Sequence, residues 1–545
     1  MRHGKAVPLT RLGQVISYAH RIARRTMATS GQPTPVRKSV VAGSFIFKIP
    51  NGDDKQAKVA LFRRSSKVST YQHKLAPCSG SMEKDDASPL AAALREIREE
   101  TTLPASSLDL LRVGKPYAFV DGSIGREWNI NPFAFRLKDV AEGGQGEEGI
   151  TLDWEHDGVE WFDPLRVNGS DEFGGVPRLI DSLRRVWPEY DLGAQAGRTL
   201  TEGLQRLRDD HEHGARELAG MAVSILRDVV CRMEPSQPID ESWWSKIRMA
   251  AWHICQSRPS MGVAITGATI KGLDAIRPLY HADTTASDKV QQMTQALDRQ
   301  LDQRSHMTDQ IRQSFTDYVR QNILRDGESR ETISILTLSF SSTISNCLLE
   351  AASTLGVSLD LRILESRPLC EGVTLASRIL KSTPPDSHPK VTLYSDASVS
   401  LASRGVDLVL LGADRISSAG DVSNKIGSLP AVLTARHVTP NVKVLVLSDT
   451  EKIASPGSME EHISEENSPS ELSQTWKGIV EDARAIDDAL SRGDPEIAVK
   501  NAYFEWVPAN LIDAYATEGG LFNTAQIQEK SKQIGKESEQ YFKDL

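Results

Sequence analysis

Cysteine is scarce. The 545 residues contain five, Cys78, Cys231, Cys255, Cys347 and Cys370, with no paired spacing, which argues against a disulfide framework or a cysteine zinc site and for a reducing compartment. No run approaches the ~18 consecutive apolar residues of a membrane span, and the start carries no signal-peptide core, so a soluble protein is expected. Nor is there an excess of positive charge: 64 basic against 73 acidic residues give a formal net charge of −9. That balance argues against wrapping a phosphate backbone, and no nucleic-acid or membrane partner is expected. A nucleotide or sugar phosphate needs only a few local cations and stays open. Acidic residues are missing from positions 1–52, which hold Arg2, Lys5, Arg11, Arg21, Arg24 and Arg25. Residues 1–38 read as a basic tail, either disordered or a mitochondrial targeting segment, with Met27 as an alternative start and the cytoplasm as the expected location.

What is present suffices for two or three hydrophobic cores, since 39% of 545 residues are hydrophobic and a single core rarely organises that length. Strand-like runs begin at Ser39 with "SVVAGSFIFKI" and "KVALFRRS" and continue in "PYAFVDG", "WNINPFAFRL" and "GVEWFDP", around a helix from about Pro89 to Thr102. The turn formers of "NGSDEFGGVP" place a boundary near residue 170. Residues 39–168 are thus an α+β domain, 169–199 a linker with a connecting helix, and 200–330 a helical subdomain. From Thr332 short apolar strands ("TISILTLS", "LDLRILES", "KVTLYSD", "VDLVLLG", "VKVLVLSD") alternate with helical segments. A Rossmann-like parallel α/β layer over 331–545 is expected, with a mobile acidic insertion near 455–473.

In "GSMEKDDASPLAAALREIREETTL", Ser88 caps and Pro89 opens a helix whose Leu90, Leu94 and Ile97 form a buried stripe. Glu96, Glu99 and Glu100 sit at i, i+3 and i+4, so their carboxylates project together and repel one another. Such a group is either a solvated face laced with arginines or a seat for a hard cation, which would activate a water and clamp a diphosphate. The string "REIREETTL", preceded by a glycine loop at Gly80 and followed by "VEWFDP", resembles the Nudix hydrolase family. The resemblance implies the Nudix fold, Mg (or Mn), metal ligation by Glu96, Glu99 and Glu100 with catalysis on the same side chains, and Arg95 as their orienting partner. The family's glycine after the paired glutamates is Thr102 here, and its upstream glutamate is Asp86 or Ala87. Glu83, Arg126, Glu127 and Glu155 are further candidates for substrate or metal contact, and Trp128 and Trp161 for stacking on a base.

A second constellation lies in "VDLVLLGADRISSAGDVSNKIGSLPAVLTAR", where Asp414 follows an apolar strand and Asn424, Lys425 and Gly427 are expected to open a helix. The carboxyl edge of a parallel sheet beside a helix N-terminus suits a phosphorylated ligand. With "SRPSMG" (Arg258), "ESRPLCEG" (Arg367) and "NAYFEWVPANLIDAYATEGG", residues 200–545 resemble the family of translation initiation factor 2B alpha, beta and delta subunits, methylthioribose-1-phosphate isomerase and ribose-1,5-bisphosphate isomerase. The resemblance implies a sugar-phosphate pocket lined by Arg258, Arg367, Asp414, Asn424 and Lys425, with Asp414 at the isomerases' catalytic aspartate. Ser339 stands where the isomerases present a catalytic cysteine, and a hydroxyl holds its proton too tightly to replace a thiol unaided. Cys347 is expected buried on a helix, and Cys370 is a reserve thiol.

Three functions follow as expectations. The first is a Mg-dependent hydrolase of a nucleoside diphosphate linked to another moiety, fused to a sugar-phosphate- or nucleotide-binding domain. The second is a non-catalytic regulatory or assembly protein of the initiation factor 2B type, forming a homodimer or larger oligomer and meeting translation initiation factors. The third is a pentose-1-phosphate aldose-ketose isomerase.

Overall fold

The computed structural model describes residues 37–50, 56–210, 213–233, 239–324, 330–383, 389–457, 467–476, 479–492 and 496–545. The basic tail falls almost wholly outside these residues, as does the middle of the expected acidic insertion.

The N-terminal sheet is built from β1 (Arg37–Lys48), β2 (Lys58–Arg64), β3 (Leu75–Ala76), β4 (Cys78–Ser81), β5 (Leu108–Val113), β6 (Tyr117–Asp121), β7 (Arg126–Leu137) and β8 (His156–Phe162). Its spine runs β3-β2-β1-β7-β5, with β4 on β1, β6 on β7 and β8 on β2. β1 and β7 pair in parallel through eleven registered positions from Arg37↔Arg126 to Phe47↔Arg136. Strand side chains alternate between faces, so β1 sends Ala42 and Ile46 to one core with Ala92, Ala93 and Ile97 of α1 (Pro89–Thr101). Phe45 and Phe47 go to the other core. The helix expected within 169–199 is α2 (Leu179–Val186). It does more than connect, because Leu179, Leu183 and Val186 with Trp187 fill that second face. The stretch before it is pinned too, with Leu75 and Gly175 forming a bridge.

The helical subdomain is α3 (Glu189–Asp209), α4 (Ala215–Arg232), α5 (Glu241–Gln256), α6 (Gly262–Tyr280) and α7 (Ala286–Asn322). It leads into β9 (Thr332–Leu338), α8 (Ser342–Leu355), β10 (Ser358–Leu364), α9 (Glu371–Ser382), β11 (Lys390–Tyr394), α10 (Val399–Ala402) and β12 (Leu408–Leu411). There follow β13 (Arg415–Ile416), β14 (Val422–Lys425), α11 (Ser428–Val438), β15 (Lys443–Leu447), α12 (Pro469–Gln474) and α13 (Arg484–Ser491). The chain finishes with β16 (Phe504–Val507), β17 (Ala514–Thr517), β18 (Gly520–Phe522) and α14 (Thr524–Phe542). The main sheet has the order β11-β10-β9-β12-β15-β17-β18. It is parallel except for β18, which pairs antiparallel with β17. One face packs on α4–α6 and the other on α7–α9. The order runs outward from β9 to β11 and then restarts at β12 on the other side of β9, which is a topological switch point, where open α/β sheets leave a crevice for ligands.

Asn424 and Lys425, expected to open a helix, instead end β14, which pairs with β16 through Asn424↔Glu505 and Lys425↔Phe504. Gly427, at φ 101, makes the turn and α11 starts at Ser428. The reason is long range: the partner strand lies some eighty residues further along the chain.

The two halves meet through buried polar contacts. His253 of α5 hydrogen-bonds the Arg185 backbone, and burial pulls its pKa from 6.5 down to about 3. A base held neutral in the fold contributes stability that is intact above pH 6.5 and is lost as pH falls from there toward 3. The chain is therefore expected to lose stability in that window, and His253→Leu to flatten the acid limb, as urea midpoints at pH 7, 5.5 and 4.5 would record.

Candidate functional site

Ser88 accepts a hydrogen bond from Ala91 N at 3.1 Å and Pro89 occupies the first turn, satisfying an otherwise unpaired amide and fixing where α1 begins. That start sets the azimuth of every carboxylate that follows. Arg95 reaches Asp86 through Nε (3.1 Å) and Nη2 (2.9 Å), and Glu96 and Glu99 through Nη1 (2.9 and 3.0 Å). Of the two upstream candidates, Asp86 is the one whose carboxylate meets Arg95, and the guanidinium, by its hydrogen bond, lowers the Asp86 pKa.

The three glutamates do not share one environment. Glu96 and Glu99 line a cavity of about 410 Å³ together with Glu83 and Glu155. Gly80 makes room for Glu96, since a Cβ there would lie 2.0 Å from the carboxylate. Burial raises the pKa of Glu96, aided by the charges of Glu99 and Glu155 and opposed by Arg95. Glu155 is raised as well, by burial and by Asp153. Glu100 departs from the expectation of three carboxylates around one ion. It is 2% exposed, its Oε1 accepts from Ser79 N at 3.2 Å, and its Oε2 has no hydrogen-bond partner among the described residues. That oxygen faces His156 Nε2 at 3.8 Å, and burial holds the carboxyl well above its ordinary range. Among the described residues, no group of three or more His, Cys, Asp or Glu side chains is gathered as a finished metal shell. The donors present, exposed and half-buried carboxylates beside an open cavity, still fit Mg²⁺, which keeps several waters and is completed by substrate phosphates.

Thr102 ends α1 at φ 62 with its amide donating to Arg98 O at 2.9 Å. A β-branched residue is strained in this left-handed cap, which glycine enters freely. Thr102→Gly is expected to stabilise the fold by about 1 kcal/mol, measured as a shift of the urea midpoint at unchanged slope.

The cavity also holds residues that the sequence reading passed over: Arg64, Tyr71, Tyr117 and Phe119. Alternation in "PYAFVDG" was the available signal for the two rings on β6. Tyr71 gave none, being held by a loop at φ 50, with its Oη donating to Asp121 Oδ2 at 2.7 Å and accepting from Trp128 Nε1 at 3.2 Å. Arg126 lines the cavity, whereas Glu127 pairs outside it with Lys38. Trp161 is covered by Lys48 at 4.2 Å and does not border the cavity.

At the second site, beside the switch point of the parallel sheet, Ser339 follows β9 at φ 64. Its amide donates to Ser366 Oγ at 2.7 Å and its hydroxyl to Glu371 Oε2 at 3.2 Å. Lys425 Nζ pairs with the same Glu371 oxygen at 2.9 Å, and Asn424 Nδ2 donates to Ser428 Oγ at 2.9 Å. Asp414 follows β12, its amide bound to Ser423 O, and burial raises its pKa against the pull of Lys452 and Lys425. The Arg367 amide donates to Asp396 Oδ2 at 2.8 Å, so its loop borders this edge, while its guanidinium pairs with Glu365 at 3.3 Å. Arg258 donates instead to the Asp210 carbonyl. Cys347 is buried on α8, as expected, and Cys370 is partly exposed ahead of α9.

The model of the Initiation factor 2 subunit family matches residues 211–524, more than half of the chain. The chain belongs to that family. A NUDIX domain precedes the initiation factor 2 family domain, over residues 44–181. The ribose 1,5-bisphosphate isomerase of Haloterrigena turkmenica is 28% identical over 313 residues, 57% of this chain and 85% of that protein. The methylthioribose-1-phosphate isomerase of Heliobacterium modesticaldum is 30% identical over 184 residues, 33% of this chain and 48% of that protein. The match therefore spans about half the length of the latter relative. Among solved structures, the eIF2B-beta2-delta2 complex of C. thermophilum matches with a TM-score of 0.46 and 16% identity, covering 64% of this chain and 98% of that one. The 5-methylthioribose 1-phosphate isomerase of Pyrococcus horikoshii matches with a TM-score of 0.43 and 16% identity, over 62% and 87%.

Proposed function

We propose that the NUDIX domain hydrolyses a phosphoanhydride in a nucleoside diphosphate linked to another group. The supporting observation is a single cavity that Glu96, Glu99, Glu155, Arg64 and Arg126 all border. Nudix domains generally use Mg or Mn, and Glu96 and Glu99 with Glu155 would hold the ion here. When bound, such an ion supplies a water of lowered pKa and offsets charge on the leaving phosphate. The chain's own part is positioning. Arg95 ties Glu96 and Glu99 to one guanidinium, and the missing side chain of Gly80 leaves room for the Glu96 carboxylate beside β4. The cation Arg64, beside Glu155, suits the substrate phosphates. The test is phosphate release from a panel of nucleoside diphosphate derivatives with and without Mg²⁺, by wild type and Glu99→Gln. Equal release by both proteins would end this reading.

For the initiation factor 2 family domain we favour ligand binding without turnover, in a homodimer or larger assembly. Ser339 motivates this reading: its hydroxyl donates to a carboxylate already paired with Lys425, which gives it no strong base of its own. No conversion of ribose 1,5-bisphosphate or methylthioribose 1-phosphate is expected at high enzyme concentration. Conversion abolished by Asp414→Asn would replace this reading with an isomerase.

A further inference from the structure

β6 and β7 form a hairpin in which Tyr117 stands opposite Ile130, Phe119 opposite Trp128 and Asp121 opposite Arg126. Every one of these side chains except Asp121 borders the cavity that also holds Glu96 and Glu99. Along β6 the alternation is strict: Tyr117 and Phe119 are half-buried, while Ala118 and Val120 face solvent. A sheet face serving only as core would be fully covered. This one is left open to a cavity, with Tyr117 and Phe119 stacked at 6.1 Å and 18°. The Trp128 ring is held in place on the same face, because Trp128 donates to Tyr71 and Tyr71 to Asp121, and Tyr71, raised to about 12 by burial and Asp121, keeps its proton. The Arg126 guanidinium lies over the Trp128 ring at 5.2 Å and makes no side-chain hydrogen bond or ion pair among the described residues. Arg178, from the segment that leads into α2, stands 6.0 Å from the Phe119 ring.

Flat, half-exposed rings held in place beside guanidinium groups match a planar aromatic ligand, which gains from stacking and from cation–π contact. They do not match a polyol, which would need a ring of hydrogen-bonding side chains instead. We infer that the substrate's nucleobase stacks on the Phe119–Trp128 pair, with Arg126 and Arg178 at its edges, and that this surface sets which diphosphates the domain accepts. The inference rests on the hydrolase reading for the identity of the site, but binding can be measured without turnover. Arg178 lies outside the sheet, so the segment that leads into α2 contributes to the base end of the pocket.

The experiment is titration calorimetry on the full-length chain in EDTA, with AMP, GMP, CMP and UMP each compared with ribose 5-phosphate, which lacks only the base. At least one nucleotide is expected to bind roughly tenfold or more tightly than ribose 5-phosphate, in line with the worth of one stacked base. Phe119→Ala should remove that advantage and Phe119→Trp retain it, with circular dichroism and the urea midpoint reporting folding. If Phe119→Ala does not fold, the comparison of Phe119→Trp with Phe119→Leu replaces it. No preference for any nucleotide, or a preference that survives loss of the Phe119 ring, would overturn the inference. Magnesium-dependent release from the diphosphate panel is read separately. Hydrolysis without base preference removes this inference alone, and base preference without hydrolysis removes the hydrolase reading while leaving a nucleotide site.

Discussion

Glu96→Gln is expected to lower kcat for Mg²⁺-dependent phosphoanhydride hydrolysis by about 10²-fold or more, while raising the urea midpoint of the metal-free protein. The two effects come from one cause. The Glu96 side chain is 14% exposed, and its pKa is raised from 4.5 by burial and by Glu99 and Glu155, the pull of Arg95 notwithstanding. A carboxyl whose folded pKa is raised contributes stability below its unfolded pKa and loses it as pH rises through the folded value. At neutral pH the charged side chain is therefore a destabilising element, held in place for what it does. Glutamine keeps the shape and still accepts from Arg95 Nη1, but it removes the charge. The stability gap between variant and wild type should be small near pH 4 and widen toward pH 7, in denaturation curves recorded with EDTA. Magnesium should then stabilise the wild type more than the variant, because a ligand stabilises only the state that binds it. A variant that loses stability and keeps its rate would mean that Glu96 is an ordinary structural partner of Arg95.

How far such roles could be read beforehand depends on where each constraint originates. The α1 carboxylates were legible because Ser88 and Pro89 fix the helix start and 3.6-residue periodicity does the rest. The same periodicity gave Glu100 the same direction as Glu96, yet Glu100 is turned inward. Its surroundings come from Ser79 on β4 and His156 on β8, and helical spacing carries no information about either. The strand alternation that creates the Phe119–Trp128 pair was visible as two separate runs; their register was not. In the second domain the apolar strands and the switch point were legible, and Ser339 and Asp414 lie at the strand ends where alternation of strand and helix puts them. The ion pair of Lys425 with Glu371 was not, because Lys425 was read as part of a helix when its partner strand, Phe504–Val507, is distant in sequence.

Arg112→Met is expected to cost about 3–5 kcal/mol of stability, the largest effect of any single substitution considered. A register shift between Leu110 and Arg112 in β5 re-aims the strand, as bulges do, and turns the arginine inward. There Nη2 donates to Glu189 Oε1 at 3.1 Å and to Thr201 Oγ1 at 2.6 Å, and Nη1 to Glu189 Oε2 at 3.2 Å and to Val186 O at 3.1 Å. The two charged side chains are 6% and 9% exposed. Removing the cation strands Glu189 without compensation, whereas Arg112→Met with Glu189→Met should recover much of the loss, because a buried pair and a well-packed apolar pair are often close in energy. A single-variant loss below about 1 kcal/mol would place the pair with exposed bridges of little worth. The consequence reaches the hydrolase pocket. Val186 and Glu189 flank the end of α2, and α2 and its lead-in bring Arg178 and Ser182 to the cavity wall. The Arg112 variant should therefore weaken nucleotide binding together with stability, although Arg112 itself does not border the pocket, and the double variant should restore both. Recovery of stability without recovery of binding would mean that α2 and its lead-in do not shape the base end of the site.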